Sequence, residues 1–139
     1  MSAWSDMDML EVLFRHLTLR QSASQIGLSL GTSRNSIIGV VHRVRGASAL
    51  AQSVPVTDSE MLTLLDCFLT QGRSAEALAN SFAARGKPLS RLAVLWLVHG
   101  MLNDLALAGP TLAQQVDHWN PEVLPSWWRA LPAAQGVSA

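Results

Sequence analysis

The chain has 139 residues, which is enough for one hydrophobic core or two small ones. Basic and acidic residues balance at ten each, and charged residues make up 14% of the chain, below the roughly 25% of an average domain, so part of the surface must be apolar. A single cysteine excludes an internal disulfide, no Cys/His spacing is typical of zinc, and the apolar run at residues 92–98 is too short to span a bilayer.

A sequence near the N-terminus recurs later in the chain. Residues 4–30 align without a gap on residues 56–82 at an offset of 52, and after a five-residue insertion the match resumes, with Ser33-Arg34 on Ser90-Arg91. A repeat of this length indicates a structural unit. We therefore predict two diverged three-helix units, residues 1–46 and residues 56–109, joined by a linker at residues 47–55.

Both copies carry the sequence signs of three helices. Serine or threonine stands at each predicted cap, and apolar residues follow at every third or fourth position, as on the buried face of a helix. Asp8 and Glu60 stand three residues after the first caps, as in a capping box. The third helices are predicted at Arg34–Arg45 and from Ser90 to Leu107. The predicted caps are Ser5, Ser22 and Ser33 in the first copy, and Thr57, Ser74 and Ser90 in the second.

The residues after Pro110 differ in composition from the two units. Asn120-Pro121 and Pro125 divide the segment 110–131 into short helical pieces, and residues 132–139 have the composition of a disordered end. At the other end of the chain, the acidic residues near the N-terminus do not fit a signal peptide, so we expect a cytoplasmic protein.

Residues 22–45 have the pattern of a helix, a glycine turn and a second helix. Gly27 stands where two crossing helices approach closely, and Gly31 suits the left-handed residue that ends a helix. This is the helix-turn-helix arrangement, whose second helix enters the major groove with its N-terminal residues against base edges. Residues 1–48 hold five basic against three acidic residues, a charge that permits nucleic-acid binding.

The predicted second helix of this arrangement offers side chains suited to DNA. Arginine can bind guanine and asparagine can bind adenine through paired hydrogen bonds, and isoleucine fits a thymine methyl group. Basic residues toward the far end fit phosphates, which position a protein rather than specify sequence. The alternative is a plain three-helix packing unit with an incidental Arg-Asn pair. The predicted DNA contacts are Ser33, Arg34, Asn35, Ile38, His42, Arg43 and Arg45.

The same part of the chain resembles a known family. Trp4-Ser5-Asp6, residues 22–26 (SASQI) and residues 33–43 (SRNSIIGVVHR) resemble the W-[ST]-D, S-A-S-Q-I-A and T-R-N-A-V-I-G-K-V-H-R-L motifs of the GcrA family of alphaproteobacterial cell-cycle regulators. The resemblance covers residues 4–45. It implies a transcription regulator that works with RNA polymerase and its housekeeping sigma factor, on sites that often contain methylated adenine.

Two departures from the family pattern bear on this resemblance. Val40 occupies a position where the family has lysine, and we expect this position to face outward, so that one DNA contact is missing. The chain also lacks the basic, proline-rich stretch that follows the family's DNA-binding unit. The chain is thus similar to the GcrA-like activators encoded with gene transfer agents or prophages.

In the second copy, apolar residues replace the polar face. Leu92, Leu95 and Trp96 replace an asparagine, an isoleucine and a glycine of the first copy, and they suit neither bases nor phosphates. A helix that is apolar all round is usually buried, so this helix is the core of the chain, a surface for a protein, or both on different sides. In the tail, Trp127-Trp128-Arg129 has the composition of an interface anchor, unless one Trp packs on the long helix. The predicted protein contacts are Leu92, Leu95, Trp96, Trp127, Trp128 and Arg129.

We therefore expect an all-α protein whose first unit binds promoter DNA and whose second unit and tail bind RNA polymerase, through sigma or a core subunit such as omega. The expected result is transcription activation in the nucleoid. Two copies on two half-sites would raise affinity, so a homodimer is a further expectation. No nucleophile signature or phosphate-binding glycine loop is present, so neither an enzyme nor a cofactor is expected. The alternatives are a polymerase-binding inhibitor or adaptor that does not bind DNA, and a DNA-packaging recruiter of phage type.

Overall fold

A computed structural model describes the backbone of residues 4–108 and the side chains of residues 4–103. Over this part of the chain every regular element is helical, so the predicted all-α fold is confirmed, and no helix in it is both long and apolar enough to cross a membrane. The predicted tail and disordered end, with Trp127, Trp128 and Arg129, lie outside the described residues. The elements are α1 (Asp6–Leu13), a π-helical segment that continues it (the π segment, Phe14–Thr18), α2 (Ala23–Leu30), α3 (Arg34–Gly46), α4 (Ser48–Ser53), α5 (Asp58–Leu69), α6 (Ala75–Ala84) and α7 (Arg91–Ala108).

All six predicted helix caps are confirmed. Each cap hydroxyl accepts a hydrogen bond from the backbone N–H three residues on, at 3.0–3.2 Å. Thr57 and Glu60 form the full capping box that the sequence predicts, whereas α1 has the Ser5 half of its predicted box. Because each hydroxyl satisfies an N–H that has no partner within its helix, the loss of one costs roughly 1 kcal/mol of stability.

Two helix ends match at the offset of the sequence repeat. The turns that follow the π segment and α5 each contain one left-handed residue, Arg20 (φ 63°) and Gly72 (φ 67°). In both turns the N–H of the next residue donates to the carbonyl six positions earlier, at 2.9 and 3.1 Å. A duplicated unit predicts such matching ends, and the duplication itself stays a prediction.

α7 lies at the centre of the fold. It packs against α1, the π segment, α3, α4, α5 and α6, and its side chains Val94, Leu95 and Val98 have no exposed surface. Buried apolar side chains from both predicted units join α7 in one continuous cluster. The prediction of Leu95 as a protein contact is therefore wrong. An apolar helix of this length buries most surface when both units pack on it, which leaves Leu95 inside the chain.

The predicted linker also belongs to this core. Instead of a connecting loop, residues 48–53 form α4, which packs on α7. Ala51 and Val54 are buried, at the three-residue spacing that places both on one side of a helical turn. Two small apolar side chains at this spacing are enough to dock a short helix, so much of the predicted linker at residues 47–55 is helical; the division of the chain into two units stays a prediction.

A polar clasp joins the beginnings of three helices. The Asp6 carboxylate accepts hydrogen bonds from Arg91 Nε (2.8 Å) and from the backbone N–H of Ala75 (2.8 Å), and Arg91 also donates to the carbonyl of Trp4 (3.0 Å). The Asp6 side chain is largely buried, which strengthens these charge-assisted bonds. In this way Asp6 at the start of α1 fixes the starts of α6 and α7, and Arg91 has a structural role.

His99 is the buried polar residue of α7. Its ring packs edge-on against Phe14, with ring centroids 6.5 Å apart, and lies 5.8 Å from Trp96. Its Nε2 atom is buried without a hydrogen-bond partner among the described residues. Burial lowers the pKa of His99 from 6.5 to about 4, because the charged ring would lose its hydration.

Acid should therefore destabilise the fold through His99. The unfolded chain binds a proton at His99 below pH 6.5 and the native chain only below about 4, so stability falls as the pH drops through this window. The full loss is about 3 kcal/mol. Urea unfolding followed by circular dichroism between about pH 7 and 4.5 should show this slope in the wild type and in the His42→Leu control. His99→Leu should flatten it; an equal slope in His99→Leu would refute the assignment.

A second group, Glu60, affects stability at lower pH than His99 does. A hydrogen bond from Lys87 lowers the pKa of Glu60 from 4.5 to about 2. The contribution of Glu60 to stability is therefore present above pH 4.5 and is lost as the pH falls toward 2. Measurements above pH 4.5 report on His99 with little interference from Glu60.

Candidate nucleic-acid interface

α2 and α3 form a helix, a tight turn and a second helix. α2 begins with the capping box of Ser22 and Gln25 and ends at Gly31, which is left-handed (φ 72°). Within the turn, the N–H of Thr32 donates to the carbonyl of Gly27 at 2.9 Å. α3 begins where the Ser33 hydroxyl accepts the N–H of Ser36. The two helices pack directly on each other, as the sequence pattern predicts.

Gly27 allows the close approach in this turn. A Cβ atom at this position would lie 2.8 Å from the carbonyl oxygen of Thr32, and 3.2 Å from the backbone carbon of Ser33. Both atoms belong to the backbone, so a side chain at position 27 could not be accommodated by a change of rotamer. The close approach expected from the sequence is confirmed, and it lies between α2 and the start of α3.

Gly27→Ala should destabilise the protein by roughly 1–3 kcal/mol, because the added methyl group must push the turn away from α2. The midpoint of urea unfolding measures this cost. The matched control is Gly46→Ala, since a Cβ atom at that helical position meets nothing within 4 Å. The control should be neutral or slightly stabilising. Equal stability of the two variants would contradict the crowding inferred at Gly27.

The seven predicted DNA contacts all belong to α3 or its cap, and all are exposed. Ser33 is the cap of α3, and its hydroxyl is engaged with Ser36 at 3.1 Å. The other six project from the sides of α3 that its buried stripe leaves open to solvent, and Ile38 keeps 41% of its surface exposed. The structure thus brings the predicted contacts together on one face; their role in DNA binding stays a prediction. The six residues are Arg34, Asn35, Ile38, His42, Arg43 and Arg45.

Val40 contradicts one sequence-based expectation. Although it was expected to face outward, its side chain is 0% exposed. Together with Ile37, Val41 and Val44 it forms the buried stripe of α3, at the i, i+3, i+4, i+7 spacing of a packed helix face. The valine is therefore a core residue, and its presence does not mark a lost contact on the exposed face.

The charge on this face is not neutralised within the described protein. Within residues 4–103, Arg34, Arg43 and Arg45 form no ion pair, and α3 contains no acidic residue. The face therefore presents fixed positive charge to solvent, which is what a polyanion requires. The arginines that do pair with acidic residues in this part of the chain are Arg15, Arg85 and Arg91.

The equivalent positions on α7 serve the fold. Arg91, which aligns with Arg34, is held in the Asp6 clasp, and His99, which aligns with His42, is buried. Leu92 and Trp96, two predicted protein contacts, are half-buried against the core. The remaining predicted contacts, Trp127, Trp128 and Arg129, lie outside the described residues. Of the two aligned helices, α3 keeps one face open to solvent, whereas α7 lies at the centre of the fold.

A groove runs along one edge of α3, between this helix and the π segment. It encloses about 400 Å³ and contains a residue that the sequence analysis did not single out, His16. His16 Nδ1 lies 2.9 Å from the carbonyl oxygen of Gln21. One signal could have found this residue: His16 aligns with Phe68, the same polar-to-apolar change that distinguishes α3 from α7. The groove is lined by His16, Ile38, Val41, His42, Arg45 and Gly46.

These features were compared with known proteins. No family model, no curated protein and no solved structure matches the chain. The resemblance of residues 4–45 to the GcrA family therefore stays a hypothesis drawn from the sequence motifs.

Proposed function

We propose that this protein is a DNA-binding transcription regulator, an activator that places α3 in the major groove of promoter DNA. The observation that carries the proposal is the exposed face of α3, which holds an asparagine, a histidine and three arginines that form no ion pair within residues 4–103, and no acidic residue. A structural helix of this small fold would be expected to bury or pair such residues, as α7 does with Arg91 and His99. A basic face beside a tight interhelical turn suits a groove-binding helix.

The order of side chains along α3 suggests how it contacts DNA. Arg34 and Asn35 lie in its first turn, where a recognition helix meets base edges, and both can form paired hydrogen bonds to a single base. Ile38 lies one turn further on and fits a thymine methyl group. Arg43 and Arg45 lie in the last turn and suit phosphates on either side of the groove.

The second half of the proposal concerns RNA polymerase. The resemblance to the GcrA family suggests that activation depends on a contact with polymerase, through sigma or a core subunit such as omega. Leu92 and Trp96 keep part of their surface exposed on α7, so among the predicted protein contacts they are the described ones that could belong to such an interface. Binding as a homodimer to two half-sites, within the nucleoid, completes the proposal.

One observation favours a second candidate, an RNA-polymerase-binding inhibitor or adaptor that does not bind DNA specifically. The chain as a whole has a formal net charge of zero, whereas free DNA-binding domains are commonly basic. The two candidates differ in what the exposed arginines of α3 do. They contact phosphates and bases in the first candidate and solvent or protein in the second.

Fluorescence anisotropy of the full chain on duplexes from its own genome, with salt varied, tests the proposal. We expect binding whose logarithm falls with the logarithm of salt concentration with a slope of about −2, because Arg43 and Arg45 would each displace counterions from a phosphate. Selective binding to a subset of duplexes should remain at about 0.15 M salt. The absence of binding at low salt, at concentrations where the chain is folded, would favour the second candidate.

A further inference from the structure

The groove between the π segment and α3 holds a histidine whose ring is fixed in place. The carbonyl oxygen of Gln21 can only accept a hydrogen bond, so His16 Nδ1, 2.9 Å away, must carry the proton and donate it. This leaves Nε2 as the ring nitrogen available to the groove. In the neutral ring Nε2 is an acceptor, and in the protonated ring it becomes a donor that carries charge.

The lining of the groove suits an anion. Arg45 and His42 reach it from α3 and His16 reaches it from the π segment, and none of the described residues that line it is acidic. Ile38 and Val41 supply an apolar wall, which suits the sugar of a sugar-phosphate chain. The groove is thus lined by one guanidinium and two imidazoles around one open space.

The position of the groove relates it to the DNA backbone. An α-helix with its side chains is about 10–12 Å across and the major groove is about 12 Å wide, so elements that flank a recognition helix face the phosphates. The π segment flanks α3 on the side of Ile38 and Arg45. If Arg34 and Asn35 meet base edges, this groove faces a phosphate of the strand beside them.

We propose that this groove binds a backbone phosphate of the DNA duplex, with protonated His16 donating from Nε2 beside Arg45. The proposal rests on the DNA-binding function proposed above and adds that binding is accompanied by protonation of His16. Because a phosphate oxygen only accepts hydrogen bonds, the neutral form of His16 presents a lone pair to it and binding favours the charged ring. DNA binding is therefore coupled to proton uptake, and the protein holds its site more tightly as the pH falls.

Other charged groups around His16 do not account for such coupling. Arg15 on the same segment is paired with Glu11 of α1 at 3.2 Å, and α2 contains no titratable residue. The exposed Arg20 follows in the adjoining turn and stays charged. From α7, His99 is buried against Phe14, away from the solvent-open groove. His42 is the other histidine that lines the groove, so the test must separate it from His16.

The test measures DNA affinity of the full chain by anisotropy at about pH 8 and about pH 6, for wild type, His16→Asn and His42→Gln. The asparagine amide can still donate to the Gln21 carbonyl but offers nothing in place of Nε2. We expect the wild type to bind about tenfold more tightly at the lower pH. His16→Asn should lose most of this gain, and its salt slope at the lower pH should be shallower by about one. His42→Gln should retain the gain.

Calorimetry in buffers of different ionisation enthalpy gives a second readout, since wild type should take up protons on binding and His16→Asn should not. A gain that persists in His16→Asn, or that disappears in His42→Gln alone, would overturn the assignment to His16 while leaving DNA binding intact. Wild-type binding with no pH dependence would overturn the groove proposal alone. No wild-type binding at either pH would remove the proposed function and the groove proposal together.

Discussion

Replacement of Arg34 and Asn35 together by alanine should weaken binding to a preferred duplex by a factor of about 10² to 10⁴. Each side chain can form a paired hydrogen bond to one base, worth about 1–3 kcal/mol of discrimination, and the two contacts lie in adjacent positions of the first turn of α3. Binding to unrelated duplexes should weaken far less, because only one of the two residues carries charge. Anisotropy titrations at constant salt on preferred and scrambled duplexes measure both effects.

A matched control for this variant exists elsewhere on the surface. Gln71 and Arg73 are an exposed amide and an exposed arginine in the turn between α5 and α6, outside the helix-turn-helix. Their double replacement by alanine removes the same charge and should leave DNA affinity within about twofold of the wild type. Both double variants should unfold at the wild-type urea concentration, since all four side chains are exposed. An equal loss of affinity in the two variants would mean that net charge, and not the α3 face, governs binding.

Val40→Lys should cost roughly 3–5 kcal/mol of stability, enough to unfold much of a small domain. The position is 0% exposed, so the lysine would have to lose its charge, or open the core to water, or both. This expectation is notable because the resembling family has lysine at the aligned position. Thermal and urea unfolding followed by circular dichroism measure the cost.

Ile38, two positions before Val40, provides the control. Ile38→Lys adds the same charge on the exposed face of α3, one turn after Arg34, at a side chain that is 41% exposed. It should leave stability nearly unchanged and tighten nonspecific DNA binding, with a salt slope steeper by about one. A stable Val40→Lys that also tightens DNA binding would contradict the buried position of this residue and restore the outward orientation expected from the alignment.

The sequence predicts helix boundaries and the α3 face well because both depend on near neighbours. A cap such as Ser74 bonds to an N–H three residues away, and the exposed face of α3 follows from the spacing of Ile37, Val41 and Val44. Comparison with the lysine of the resembling family predicts that the Val40 side chain faces outward, although the same helical spacing places it with Ile37 and Val44. The local pattern was the better guide there.

Features that depend on distant contacts could not be predicted in this way. Asp6 and Arg91 are 85 positions apart, and nothing local to either residue indicates that they meet. Leu95 lies on a helix that is apolar all round, and such a helix can be covered by its own chain or by a partner with the same gain of buried area. His16 lines the groove beside α3 because the π segment lies on the other side of that groove, an arrangement that exists only once the helices are assembled.

The central position of α7 has a consequence for how this protein can evolve. α7, which ends the second half of the described chain, also packs against α1 and α3 of the first half, and the Asp6 clasp joins the start of α1 to the start of α7. The helix-turn-helix could therefore not be transferred alone to another protein by recombination, because a break after α3 would expose the apolar sides of α1 and α3. Descendants of this chain should inherit both halves together, and sequence changes should accumulate at the outward positions of α3.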